Sequence, residues 1–382
     1  MDSDKTDNAV MPNSNAIRLS GRQWLAVAGI LLALVIAAPA LWRHVEPFSP
    51  GSDYRIPYEL SSDYWLYHRY SDWASARGKI AVIGDSVIWG HYVAPDGTLS
   101  HFLNIETASE RFANLGLDGT HPTALAGLIA HYAEGLAGST VVLHFNPLWL
   151  TSEKHDLSTR KEFHFNHPKL VPQFVPRIPC YRASFSTRLW AVTEQYVPFF
   201  SWTSHLQIAY FDGLDLPRWT LQHPYENPLG RIADCRLRIA DSGPGEHPGI
   251  ENPKSEIPNP KSTDVAWVTP DRSLQWRFFR HAVELLRRRE CRVFVLVGPL
   301  NEHMLDTEDA AAYEQIKRSI ATWLQEDDVP NLMPAALPAG LYADLSHPLP
   351  DGYARLAAQL ASKEAFASVV SLDASPPDRA RQ

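Results

Sequence analysis

The sequence predicts an α/β fold: a doubly wound parallel sheet carrying a large insertion and an N-terminal transmembrane helix. Three observations predict it. Short apolar runs rich in β-branched residues, at 80–83, 140–145 and 291–297, each end at a glycine or an Asn-Pro step. Parallel strands buried on both faces read this way. Amphipathic segments lie between these runs, so strand and helix alternate. From Trp24 to Trp42 the chain is apolar and uncharged, close to the roughly 20 residues needed to cross a bilayer.

Taken in order, residues 1–22 are polar and carry Lys5, Arg18 and Arg22, while Arg43 is the nearest cation beyond the apolar run. That bias reads as a cytoplasmic leader with the rest of the chain outside. The run at 23–42 is a single-pass anchor or a signal peptide. Ala38-Pro39-Ala40 has the small residues of a cleavage site, whereas the long leader and the tryptophan at each end suit an uncleaved anchor. Either way the bulk of the protein is extracytoplasmic, periplasmic or at the cell surface. Residues 43–78, rich in Tyr, Trp and Asp, read as a spacer.

Residues 79–150 read as the first part of the sheet domain. Ser86 stands just past the carboxyl end of its first strand, where open sheets place their ligands. Gly84 and Gly90 leave the backbone free to turn sharply there, and Asp85 reads as fixing the turn. A helix is expected from Thr98 to Arg111 and a strand from Phe112 to Leu115. A covering helix follows Pro122, with Leu125, Leu128, Ile129, Tyr132 and Leu136 at helical spacing.

From 151 to 270 the alternation stops. This insertion is dense in proline, histidine and aromatic residues, reads as a lid or substrate subdomain, and has too many prolines for long regular elements. His164 and His167 form a lone His-x-x-His, more often surface or core than a metal site. Residues 241–263 hold five prolines and Asn-Pro-Lys-Ser twice, the composition of a disordered linker.

Order resumes in a second part, 271–370, through a helix expected to open at Thr269-Pro270-Asp271. Its buried stripe is Leu274, Phe278, Ala282, Leu285 and Leu286. After the strand at 291–297 come Asn301 and His303, candidates for substrate contact. A helix over Thr307–Gln325 and a short strand near Asn331–Met333 follow. Next is Asp344-Leu345-Ser346-His347, in which a carboxylate three residues before a histidine can hold Nδ1–H while Nε2 faces a serine. Residues 371–382 are a polar tail, expected to be disordered.

Gly84-Asp85-Ser86 with Gly90, then Asn114-Leu115-Gly116-Leu117-Asp118-Gly119, then Asn146, then Asp344-x-x-His347 resemble, in order, the four blocks of the SGNH (GDSL-type) hydrolases. The resemblance spans about 79–150 and 272–362. It departs at the third block, where the family usually reads Gly-x-Asn-Asp and this chain has His144-Phe145-Asn146-Pro147. It implies a flavodoxin-like sheet with Ser86 as nucleophile, His347 as general base and then acid, and Asp344 orienting His347. The backbone N–H groups of Ser86 and Gly116 and the side chain of Asn146 are the implied oxyanion hole. The chain has no Gly-x-Ser-x-Gly elbow.

The expected activity is an exported serine esterase or acyl hydrolase acting on acylated envelope carbohydrate or lipid, without cofactor or metal. Similar exported domains act in O-acetylation of envelope polysaccharides, so an O-acyltransferase is one alternative. A non-catalytic envelope assembly or binding protein that keeps the fold is another. The net charge of −8, with no basic tract, excludes nucleic acid as a natural partner. Three cysteines make no zinc pattern. Cys291 reads as core, and Cys180 and Cys235 can pair outside the cytoplasm.

Overall fold

The computed structural model describes residues 19–228, 230 and 265–370 and divides into two units, residues 1–46 and 47–382. The first holds α1 (Gly21–Val45), opened by a capping box in which Gln23 N–H donates to Ser20 Oγ and Ser20 N–H to Gln23 Oε1. Its 25 residues include an 18-residue stretch of mean hydropathy 2.5. At about 1.5 Å per residue the helix is long enough, and apolar enough, to cross a membrane.

The second unit is built on β1 (Ile80–Ile83), β2 (Phe112–Asn114), β3 (Thr140–Phe145), β4 (Arg292–Val297) and β5 (Asn331–Leu332). All pair in parallel, in the spatial order β2-β1-β3-β4-β5. Before β1 comes α2 (Tyr64–Ala76), and after it α3 (Ser86–Trp89) and α4 (Leu99–Glu106). The helix α5 (Pro122–Tyr132) links β2 to β3. The insertion contributes α6 (Phe185–Tyr196), α7 (Pro198–Tyr210) and α8 (Leu216–Gln222). The remainder is α9 (Leu274–Arg288) before β4, α10 (Thr307–Glu326) before β5, then α11 (Pro350–Ala361) and α12 (Glu364–Val370).

Alternate strand residues face two helical layers, which is why the strands are mostly apolar on both faces. Ile80, Val82, Val142, Phe294 and Leu296 pack with Leu99 and Leu103 of α4, Leu356 and Leu360 of α11 and Phe366 of α12. On the other face Phe145 meets Trp276 and Phe279 of α9, with ring centroids 4.9 and 4.8 Å apart. The strand order reverses between β1 and β3, so the chain leaves those two strands in opposite directions and opens a crevice at their carboxyl ends.

Several elements differ from expectation, each for a local reason. The helix expected over 98–111 stops at Glu106, because Ala108 takes a left-handed φ of 45° and turns the chain into β2. Thr269 does not open the next helix; its carbonyl accepts from Arg272 and Ser273 N–H in a turn. The helix begins at Leu274 because the Asp156 carboxylate, from the insertion, accepts from Leu274 N (3.1 Å), Gln275 N (3.0 Å) and Ser273 Oγ. Segment 43–78 is more than a spacer, since α2 buries Tyr64, Trp65, Leu66, Tyr67 and Tyr70. The described part of the insertion holds three helices despite its prolines, because Pro198 and Pro217 sit in first turns, where a missing N–H is harmless. The linker 241–263, Cys235 with its pairing to Cys180, and the tail 371–382 lie outside the described residues.

Candidate active site

Asp85 makes the turn after β1. It is the N-cap of α3, and its Oδ1 accepts from Val87 N at 3.0 Å, so Ser86 becomes the first residue of a one-turn helix. Gly90 ends that helix in the left-handed conformation, φ 87°. Arg55 fixes the far end. Its guanidinium donates to the carbonyls of Trp89 (2.8 Å), Gly90 (2.6 Å) and Val93 (2.9 Å) and stacks on the Trp89 ring at 4.0 Å. Burial lowers Arg55 to about 10, so it remains a cation at neutral pH.

The loop between β5 and α11 brings up the other two groups. Asp344 Oδ1 accepts from the N–H groups of Ser346 (2.8 Å) and His347 (2.9 Å), a closed turn that points carboxylate and imidazole the same way. His347 Nδ1 lies 2.8 Å from Asp344 Oδ2, and His347 Nε2 lies 2.8 Å from Ser86 Oγ. Burial, the largest influence on Asp344, pushes it up. The hydrogen bond and charge of His347, with the two N–H groups, outweigh that and hold it below the usual carboxylate range. With Nδ1–H donating a hydrogen bond to Asp344, His347 Nε2 is free to take the Ser86 proton.

Asp85 is a hub beneath this chain. Its Oδ2 accepts from Asn146 Nδ2 and from Trp149 Nε1, both at 2.9 Å, and His144 Nδ1 lies 3.3 Å from Oδ1 without the alignment of a hydrogen bond. Burial again pushes the carboxyl up, but His144, Asn146 and His347 together keep it depressed and ionised.

The expected oxyanion donors are placed unequally. The Ser86 N–H has no acceptor among the described residues. The Gly116 N–H donates to Asn114 Oδ1 at 3.0 Å, and one Asn146 amide hydrogen goes to Asp85, leaving the second. Gly116 is held against α3 so closely that a Cβ there would stand 2.4 Å from Trp89 N, so the residue serves packing whatever else it does.

Asn301 supports the Asp344–His347 loop, with its N–H on Leu345 O (2.7 Å) and its Nδ2 on Asp344 O (3.3 Å). His303 is exposed and bonds to Leu337 O at 3.0 Å. His167 is buried between Tyr64 OH (3.0 Å) and the Asp118 carbonyl (2.8 Å), a structural strut. Among the described residues no group of three or more His, Cys, Asp or Glu is arranged to hold a metal.

Two residues not singled out from the sequence stand beside the triad. His91 Nδ1 is 2.6 Å from Asp118 Oδ1, and the His91 ring lies 5.5 Å from that of His347. Burial, the largest influence, lowers His91, but the hydrogen bond and charge of Asp118 and the charge of Asp344 raise it above the ordinary value. Tyr92 sets its ring edge-on to His347 at 5.3 Å and is pushed up to about 12, first by burial and then by Asp344. The signal was in the motifs: His91 follows Gly90, and Asp118 lies within the block around Gly116. No protein-family model matches the chain, and a search of curated proteins finds none similar to it.

Proposed function

We propose that the chain is an exported, membrane-tethered serine esterase or acyl hydrolase of SGNH type, acting on acylated envelope carbohydrate or lipid. The observation that carries this reading is the unbroken chain Ser86 Oγ–His347–Asp344, drawn from two loops 261 residues apart. Ser86 Oγ attacks the acyl carbonyl as His347 Nε2 takes its proton, and Asp344 stabilises the imidazolium. His347 returns the proton to the departing alkoxide, leaving an acyl-serine. Water, activated in turn by His347, completes hydrolysis. A sugar hydroxyl in its place makes the same chemistry an O-acyl transfer. The oxyanion falls to the Ser86 N–H and the second Asn146 hydrogen. The apolar helix α1, with Arg18 before it in the chain and Arg22 in its first turn, supports the tether and its orientation.

The non-catalytic reading draws on one observation, the Gly116 N–H already committed to Asn114. A fluorophosphonate probe decides between the two. The wild-type chain should be labelled at Ser86, and 4-nitrophenyl acetate should be turned over. Ser86→Ala and His347→Ala should each lower turnover by roughly 10⁴-fold, and Asp344→Asn somewhat less. Turnover unchanged in Ser86→Ala would end the enzyme reading. Product analysis with an added oligosaccharide separates transfer from hydrolysis.

A further inference from the structure

One helix of the insertion is turned inside out. The solvent side of α6 carries Phe185 (71 % exposed), Leu189, Trp190 and Tyr196 (69 %), while its inward side buries Ala191 and Glu194. A water-soluble domain normally shows the opposite arrangement. The neighbouring loop adds Phe174 and Val175, the latter 87 % exposed, and the Phe174 and Phe185 rings lie 5.9 Å apart. Phe174, Val175 and Phe185 thus form one exposed apolar cluster, which Leu189 extends one turn along α6, and exposed clusters of this kind mark interaction surfaces.

Arginines rim the patch. An open hollow of about 390 Å³ is lined by Arg177, Arg182 and Arg188 with Tyr181 and Ser184. An adjoining hollow of about 310 Å³ shares Arg177 and Arg188 and reaches Phe174 and Phe185. Arg188 is locked over the Tyr181 ring at 4.4 Å and donates to the carbonyls of Gln173, Tyr181 (3.1 Å) and Ala183 (3.4 Å), so it shapes the hollow and leaves Arg177 and Arg182 to meet a ligand. Arg177 and Arg182 are exposed, and none of the three has an acidic partner among the described residues. On a chain of net charge −8, this is a local concentration of unpaired positive charge. Guanidinium forks match phosphate oxygens.

We propose that this face docks on an anionic phospholipid bilayer, with Phe174, Val175, Phe185, Leu189 and Trp190 entering the interface and the arginines meeting lipid phosphates. A soluble anionic polymer would satisfy the arginines but leave Val175, Phe185 and Leu189 in water, whereas a bilayer satisfies both. The inference rests on reading α1 as a membrane anchor, which keeps the insertion beside a bilayer and raises its effective concentration there.

The test is amide hydrogen exchange over residues 172–196 of the full chain, with vesicles of phosphatidylcholine alone or mixed with phosphatidylglycerol. Flotation is read in parallel. Exchange should slow by roughly ten-fold or more with phosphatidylglycerol but not without it, and high salt should reverse the effect. Arg177→Gln with Arg182→Gln should abolish the slowing and leave the melting temperature unchanged, since neither side chain has a partner to lose. Phe185→Ser should weaken it separately. Equal exchange in both lipids would overturn the proposal, as would slowing by soluble alginate as strong as that by phosphatidylglycerol. Loss of flotation with the slowing intact would fault the anchor; flotation without slowing would fault the patch.

Discussion

At the scale of single residues, the site depends on carboxylates that each serve several donors. Asp85 orders the turn that carries Ser86 while also holding Asn146 and Trp149 of the segment after β3, so its replacement would disturb both loops together. Asp118 does comparable work for His91, and the balance there has a consequence for stability. A histidine whose folded value is raised contributes stability that is fully present below its unfolded value of about 6.5 and lost as pH rises through the folded one. The His91–Asp118 pair should therefore stabilise the protein in mildly acidic solution and cease to do so at alkaline pH. Imidazole NMR titration should place His91 above the ordinary histidine value in the wild type, and lower in Asp118→Asn. A His91 titration unmoved by Asp118→Asn would contradict the assignment.

Among the elements, the insertion is joined to the sheet domain by polar contacts that a sequence pattern does not display. Asp63 caps α2 through Leu66 N (2.9 Å) and meets His205 of α7 at 2.6 Å, with both side chains fully buried. Removing Asp63 takes away the α2 cap and the His205 contact together, in a region closed to water. Asp63→Ala should cost about 3–5 kcal/mol in chemical denaturation, and Asp63→Asn less, because the amide still caps the helix. A loss under about 1 kcal/mol would show that the pair does not hold α7 in place. The strands, by contrast, were legible beforehand, because burial on both faces forces an unbroken apolar run. Helix starts were less so. Thr269-Pro270-Asp271 has the right local chemistry, yet Asp156, more than a hundred residues earlier, decides where α9 begins. The insertion was misread for a related reason: proline density counts against helices only where the prolines fall inside them, and Pro198 and Pro217 fall at the starts.

For the whole molecule, Ser86, Asp344 and His347 were legible because each sits in a short local motif at a strand's carboxyl end, and parallel topology brings such ends together. Arg55 was not, since what matters about it is contact across the fold rather than spacing, and His91 showed only as the neighbour of Gly90. The position of the chain in the cell remains the broadest expectation. With Arg18 before α1, Arg22 in its first turn and the acidic unit following it in the chain, protease added to intact spheroplasts should digest residues beyond 46. Full protection of that unit would reverse the orientation.

Arg55 carries one more implication. Its grip on the carbonyls of Trp89, Gly90 and Val93 works only if the turn keeps its shape, and a Cβ at position 90 would stand 3.0 Å from Arg55 Nη1. The two positions are thus one inheritable unit. In descendants of this sequence, loss of the arginine should be accompanied by a remodelled turn at 89–93, and covariation between them would record a constraint on the Ser86 turn that the motif itself does not contain.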